Sequence, residues 1–168
     1  MRNLMKLVAV LLFIVVAASA NGQTLKFGHI DLQALVQLMP ERATAETEFL
    51  DFQKELEDVL TEMQTSYQAA IGEFQQLGED ASEIKRTAKL EELQQIEQRI
   101  GTYQQNAQGQ LQQKQGEVLQ PVFDKAEKAI EEVAKENSLI YVFDVGPKVV
   151  LYKSNESIDI LPLVKAKL

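Results

Sequence analysis

The 168-residue chain has no cysteine and no tryptophan, a single histidine, four prolines, and 17 basic side chains against 25 acidic ones. Each shortage removes a class of protein. Without a thiol there is no disulfide to support a small core, no thiolate nucleophile, and no cysteine of the kind a bacterial lipoprotein acylates. With one histidine, His29, and no carboxylate cluster at ligand spacing, a multi-histidine metal site is excluded, and no nucleophile stands beside that imidazole. No glycine-rich phosphate loop is present. His29 therefore reads as a structural histidine with satisfied ring nitrogens. No cofactor, no metal and no catalytic residue is expected, and the acidic balance argues against nucleic acid as a partner.

The apolar content is unevenly placed. Arg2 and Lys6 flank the start of an unbroken twelve-residue apolar run, Leu7–Ala18, and Ala18-Ser19-Ala20 has the small-x-small pattern of a cleavage site. Residues 1–20 thus read as a secretory signal peptide, because the run is too short to span a bilayer. Cleavage after Ala20 removes two positive charges and leaves 15 basic and 25 acidic side chains, a formal charge of −10. A mature chain of that kind, without disulfides, is held together by packing or by oligomerisation.

What the chain has in abundance is helical pattern. From Glu41, apolar residues fall at Phe49, Phe52, Leu56, Leu60, Met63, Tyr67, Ala70, Phe74 and Leu77, in steps of 3, 4, 4, 3, 4, 3, 4 and 3. That is a coiled-coil seam, with a local stutter at the consecutive four-residue steps. This first leg carries nine acidic and two basic side chains, net −7. Gly78-Glu79-Asp80 supplies a turn and Ser82 a cap, after which a returning helix shows Leu93, Ile96, Ile100, Tyr103, Ala107 and Leu111, then Val118, Val122, Ala126, Ile130 and Val133. The stripe thins between Gln108 and Lys114, within a stretch that holds ten glutamines from Gln94 to Gln115. Gly101, Gly109 and Gly116 interrupt this helix at about 1 kcal/mol each relative to alanine. Close packing or a need to bend accounts for them. Pro121 removes a backbone donor, so a kink or break is expected there, separating an arm at 41–120 from a body at 21–40 and 121–168.

The body contains the β-like runs. Leu25–Ile30 is a strand candidate followed by Asp31 as an N-cap, a short helix to about Leu38, and Pro40 opening the first leg. The returning helix ends near Asn137, an αL terminator. Leu139–Asp144 and Lys148–Lys153, joined by Val145-Gly146-Pro147, read as an antiparallel hairpin. A last helix over about Asp159–Lys167 offers Ile160, Leu163 and Val164 as cover. Such a body is small for a stable core, and self-association would bury the second apolar face of Tyr141, Val142 and Phe143.

The segments KFGHIDLQAL (26–35), LQPVFDKAEKAIEEVAKEN (119–137), YVFDVG (141–146) and SIDILPLVKAKL (157–168) resemble the Skp/OmpH family of periplasmic chaperones, across essentially the whole mature chain. The resemblance implies an α+β fold in which a long antiparallel helical coiled-coil hairpin, a tentacle, projects from a small β-rich trimerisation body. It implies a homotrimer whose arms enclose a cavity for unfolded outer-membrane β-barrel proteins, held in the periplasm without ATP. The matching body positions, Phe27, Ile30, Tyr141, Phe143, Val149 and Leu151, are candidate trimer contacts, and Gly101, Gly109, Gly116 and Pro121 are candidate arm hinges. One departure stands out: the best-known members are basic, whereas this chain is acidic, with a basic cluster only near the tip at Lys85, Arg86 and Lys89. That charge disfavours contact with an anionic membrane. The alternative class is a periplasmic coiled-coil adaptor or scaffold, which does not explain the terminal strands.

Overall fold

The computed structural model describes residues 25–78 and 81–168. The expected signal peptide lies outside the described residues, as do Glu79 and Asp80 of the expected turn.

The elements follow in the order β1 (Lys26–Ile30), α1 (Leu32–Leu38), α2 (Pro40–Gln76), α3 (Glu83–Glu136), β2 (Leu139–Asp144), β3 (Ile158–Asp159) and α4 (Leu161–Lys165). Asp31 starts α1 as its pattern predicts: the backbone is extended there, and Oδ1 accepts the Ala34 N–H at 2.9 Å, satisfying one of the helix's orphan donors. Met39 then breaks the helical path in extended backbone, and Pro40 occupies the first turn of α2, where its missing N–H costs nothing.

Helices α2 and α3 fold back on each other as an antiparallel hairpin. Every position of the apolar seam in the first leg is protected from solvent, and so is every stripe position named in the second. Most are only half-buried, the geometric limit of two helices with no third to cover them. Helix α2 has 37 residues and α3 has 54, lengths of about 55 Å and about 80 Å at 1.5 Å per residue. The difference in length enters the body. There Val122, Ala126, Ala129 and Val133 of α3 pack with Ile30 of β1, Leu35 and Val36 of α1, Met39, and Ile160 and Val164 at the C-terminal end. Burying one such aliphatic side chain is worth about 1.5–3 kcal/mol. One continuous helix is thus both the second leg of the arm and the main beam of the core.

The sheet has three strands in the order β2-β1-β3, and both pairings are parallel. Gly28 sits in the central strand on the helix-facing side, where a Cβ would lie 2.7 Å from Leu139 Cδ1, so a larger residue there requires the Leu139 side chain to shift.

Four expectations are corrected. Lys148–Lys153 forms no strand and no antiparallel hairpin with β2; the third strand is Ile158–Asp159 instead. The exit of β2 is tied back to β1 by Val145 N–H to the Ile30 carbonyl at 2.9 Å, and Gly146 N–H donates to Asp144 Oδ1 at 3.0 Å. Lys148 then adopts left-handed backbone, φ 57°, and the following residues cross the face of the sheet rather than following its edge. Secondly, of the kink or break expected at Pro121 the break does not occur, and α3 is one helix through it; packing of the flanking Val118 and Val122 on the core outweighs the one lost backbone bond. Thirdly, the left-handed residue after α3 is Ser138, φ 55°, while Asn137 stays at φ −94° and donates its side-chain amide to the Val133 carbonyl at 2.8 Å. Lastly, Ser82 occupies the N-cap of α3 without a side-chain cap bond.

Candidate functional site

Two surfaces carry the functional reading: the arm and the outer face of the sheet. On the arm the seam is completed by polar side chains where apolar ones run out. Lys114 fills the gap between Leu111 and Val118; its Nζ lies 5.9 Å from the centre of the Phe52 ring and 3.8 Å from Glu48 Oε2 of the facing leg. The lysine stem covers the seam while its ammonium meets an aromatic face and an acid. The Tyr103 hydroxyl donates across the hairpin to the Leu56 carbonyl at 3.1 Å. At the root, Lys125 Nζ donates to Glu41 Oε1 at 2.5 Å, and this bond holds the Glu41 carboxyl below its ordinary range.

The basic cluster at the tip is spent internally. Lys89 donates to Glu73 of the facing leg at 2.6 Å and to Glu92 at 2.7 Å, and Arg86 donates to the Gly78 carbonyl at 3.0 Å. The hydrogen bonds it donates to Glu73 and Glu92 raise Lys89 to about 12, and Lys89 in turn lowers Glu73. Two of the three tip cations are thus engaged within the arm, while Lys85 is exposed. Outside the seam, Leu50, Val59, Ile84 and Leu90 are exposed, and a hollow of about 550 Å³ opens between Met63 of the first leg and Gln95, Gln98, Arg99 and Tyr103 of the second. At Gly101, Gly109 and Gly116 an added Cβ would meet nothing within 4 Å, which removes close packing as their reason.

The outer face of the sheet is set by strand alternation. Phe27 pairs with Tyr141 and His29 with Phe143 across the β1–β2 ladder, which puts all four on one side. The rings of Phe27, Tyr141 and Phe143 stack with centroids 5.9–6.5 Å apart. Among the described residues the segment after β2 covers them only in part: Tyr141 is 63% exposed and Phe143 44%. Val149 and Leu151 of the crossing segment are more open still, at 78% and 96%. Ile30 differs. It points to the opposite face and is 2% exposed in the protomer's own core, so it is no candidate for contact with another copy; it belongs to the set of alternating residues that face α3.

His29 is buried with both ring nitrogens engaged, Nδ1 at 2.9 Å from Ser157 Oγ and Nε2 at 2.6 Å from Lys153 Nζ. An ammonium has only protons to give, so Nε2 accepts and the ring proton sits on Nδ1, directed at Ser157. Sequence reasoning assigned His29 a structural role without naming these partners, which are more than 120 residues away. Among the described residues no three His, Cys, Asp or Glu side chains gather as a metal would require, and no helix is long and apolar enough to cross a membrane.

These features define an α+β protein that presents surfaces: a long helical hairpin carried on a small sheet-and-helix body with one partly exposed aromatic face. The chain belongs to the OmpH-like family, since residues 26–168 match the family described as outer membrane protein (OmpH-like). Members of that family are periplasmic chaperones, not enzymes. Comparison with curated proteins finds no match.

Proposed function

We propose that this protein is an ATP-independent periplasmic holdase that binds unfolded outer-membrane β-barrel proteins between helical arms and keeps them from aggregating. The observation that carries the reading is the arm itself. A two-helix hairpin half-buries its seam, leaves separate apolar residues such as Leu50, Val59 and Leu90 at its surface, and carries a run of ten uncharged glutamines from Gln94 to Gln115 on its second leg. Such a surface makes broad, weak and adaptable contacts, which suits a client without fixed structure. Because Arg86 and Lys89 are engaged within the tip, grip on clients relies chiefly on apolar and amide groups, with Lys85 as the exposed cation of the tip.

Three copies assemble, in this reading, through the partly exposed aromatic face and the 148–153 segment. Phe27, Tyr141, Phe143, Val149 and Leu151 supply the contacts, and the β-branched run that finds no ladder in its own protomer finds one in a neighbour. The body spans residues 21–40 and 121–168, the arm 41–120, with export directed by residues 1–20. The test is dilution of a urea-unfolded outer-membrane barrel into buffer with the purified protein, followed by light scattering. Scattering falls as the ratio of trimer to client approaches one. A protein confirmed as a trimer by mass that leaves scattering unchanged at every ratio overturns the proposal.

A further inference from the structure

We propose that His29, the chain's only histidine, is a proton-operated catch that holds the segment 145–157 on the outer face of the sheet and releases it on acidification. The segment runs from β2 to β3 without regular structure. Its side-chain attachments to the sheet include the two at His29: Lys153 Nζ at 2.6 Å from Nε2, and Ser157 Oγ at 2.9 Å from Nδ1. Between segment and sheet lies a hollow of about 360 Å³, walled by Phe27, Phe143, Val150 and Tyr152 with His29 at its floor. The packing beneath the segment is therefore incomplete, and its hold depends on those polar bonds.

The catch depends on the direction of the bond to Lys153. A neutral ring accepts the ammonium at Nε2 and donates from Nδ1. A protonated ring carries hydrogen on both nitrogens, so it presents a donor to a donor and a positive charge to a positive charge at hydrogen-bond distance. Lys153 must then leave, whereas the bond to Ser157, whose hydroxyl oxygen accepts, survives. The other charged and titratable groups around the ring favour the same outcome. Across the β3 ladder His29 pairs with Asp159, whose carboxylate already accepts the Leu161 N–H at 3.0 Å and offers an imidazolium a counter-charge on the sheet. On β2 the partner is the neutral Phe143, with Asp144 one residue further along, accepting the Leu32 and Gly146 N–H groups. On β1 itself Lys26 and Asp31 lie three and two residues away, and Tyr152 of the segment lines the same hollow. Among the described residues Lys153 is the cation at hydrogen-bond distance from the ring, and it is able to move away, being exposed at the end of a long stem.

The consequence for assembly rests on the trimer proposed above, because the released segment carries Val149 and Leu151. The catch itself does not, so the two are read separately. Amide exchange of Glu156 and Ser157, whose N–H groups donate to Ser154 within the segment, corrected for intrinsic rate, is measured in the whole protein from about pH 8 to about pH 5, the interval in which histidine changes charge, with mass recorded at each pH. Protection is expected to fall about tenfold or more on acidification, the scale of one charge-assisted bond lost. His29→Gln, whose amide reproduces both bonds of the neutral ring, is expected to hold protection constant across the range, and Lys153→Met to remove it at both ends. Because there is one imidazole, its ring 15N signals report tautomer and charge in the wild type without any substitution. They are expected to show the Nδ1–H form at pH 8 and a transition coincident with the loss of protection. Wild-type protection independent of pH, or a ring transition separated from the change in exchange, overturns the catch, whatever the mass shows.

Discussion

Replacing Gly101, Gly109 and Gly116 together by alanine tests whether the arm is soft by design. All three lie in the interior of α3, and at none does an added methyl group meet another atom within 4 Å. No steric term therefore offsets the helix propensity, which favours alanine by about 0.8–1.0 kcal/mol at each site. The sites are eight and seven residues apart, about 12 and about 10 Å along the helix at its usual rise, far enough for their effects to add. The triple variant should gain about 2–3 kcal/mol. Urea unfolding followed by circular dichroism measures the total, and amide exchange in residues 95–120 shows whether the gain lies in the arm. If bending serves client capture, the stiffened protein suppresses aggregation less well although it is more stable. A gain below about 1 kcal/mol would refute the open-space argument, and full activity in a demonstrably stiffer arm would refute softness as a functional property.

Other substitutions probe the remaining supports. Gly28→Ala places a Cβ 2.7 Å from Leu139 Cδ1 and is expected to destabilise the body by about 1–2 kcal/mol by overpacking, read as a lower urea midpoint; an unchanged midpoint would show that Leu139 moves aside freely. Lys114→Ala removes the stem that closes the seam over Phe52 along with the 3.8 Å contact to Glu48; faster exchange around residues 48–56 and 110–118 is expected, with the tip unaffected. The tip pair should respond to pH in a defined direction. Glu73 lies below its ordinary range because of Lys89, so its contribution is present above about pH 4.5 and is lost as pH falls through the lowered value. Lys89, raised to about 12, contributes fully below its ordinary range near 10.5 and loses its contribution as pH approaches 12. Protection at residues 70–90 should therefore be flat between about pH 5 and about pH 10, and a decline centred inside that window would contradict the pairing.

The arm was legible because its signal is periodic and long. Nine seam positions of the first leg, and the stripe of the second, follow directly from steps of three and four, as does the α1 start at Asp31. The thinning near Lys114 was visible too, but a lysine reads as solvent-facing until its stem is placed over Phe52; carrying the three-and-four step through the polar residue, from Leu111 to Lys114 to Val118, would have found it. The sheet was harder. Lys148–Lys153 has strand composition, and the outer edge of β2 is open to it, yet the chain leaves β2 through Gly146 and the left-handed Lys148 and does not run back along that edge. Ile158–Asp159 is two residues long, too short to leave a pattern. Parallel pairing of β1 with segments more than 100 residues distant leaves no local trace at all, and with it the partners of His29 stay hidden. Pro121 shows tertiary packing overriding a local rule, since core contacts on either side hold the helix together across the missing donor.

The central claim is that the arm does the holding and the body the assembling, and shortening the arm separates the two. Leu56 and Tyr103 face each other through the 3.1 Å hydrogen bond, so residues 56–103 can be replaced by a short Gly/Ser turn that leaves the root, including the Glu41–Lys125 bond, in place. Measured side by side, mass by light scattering and suppression of aggregation of a urea-diluted outer-membrane barrel give the answer. The account predicts a trimer that no longer suppresses aggregation. A shortened protein that still suppresses it fully would contradict the account and move the client site to the body.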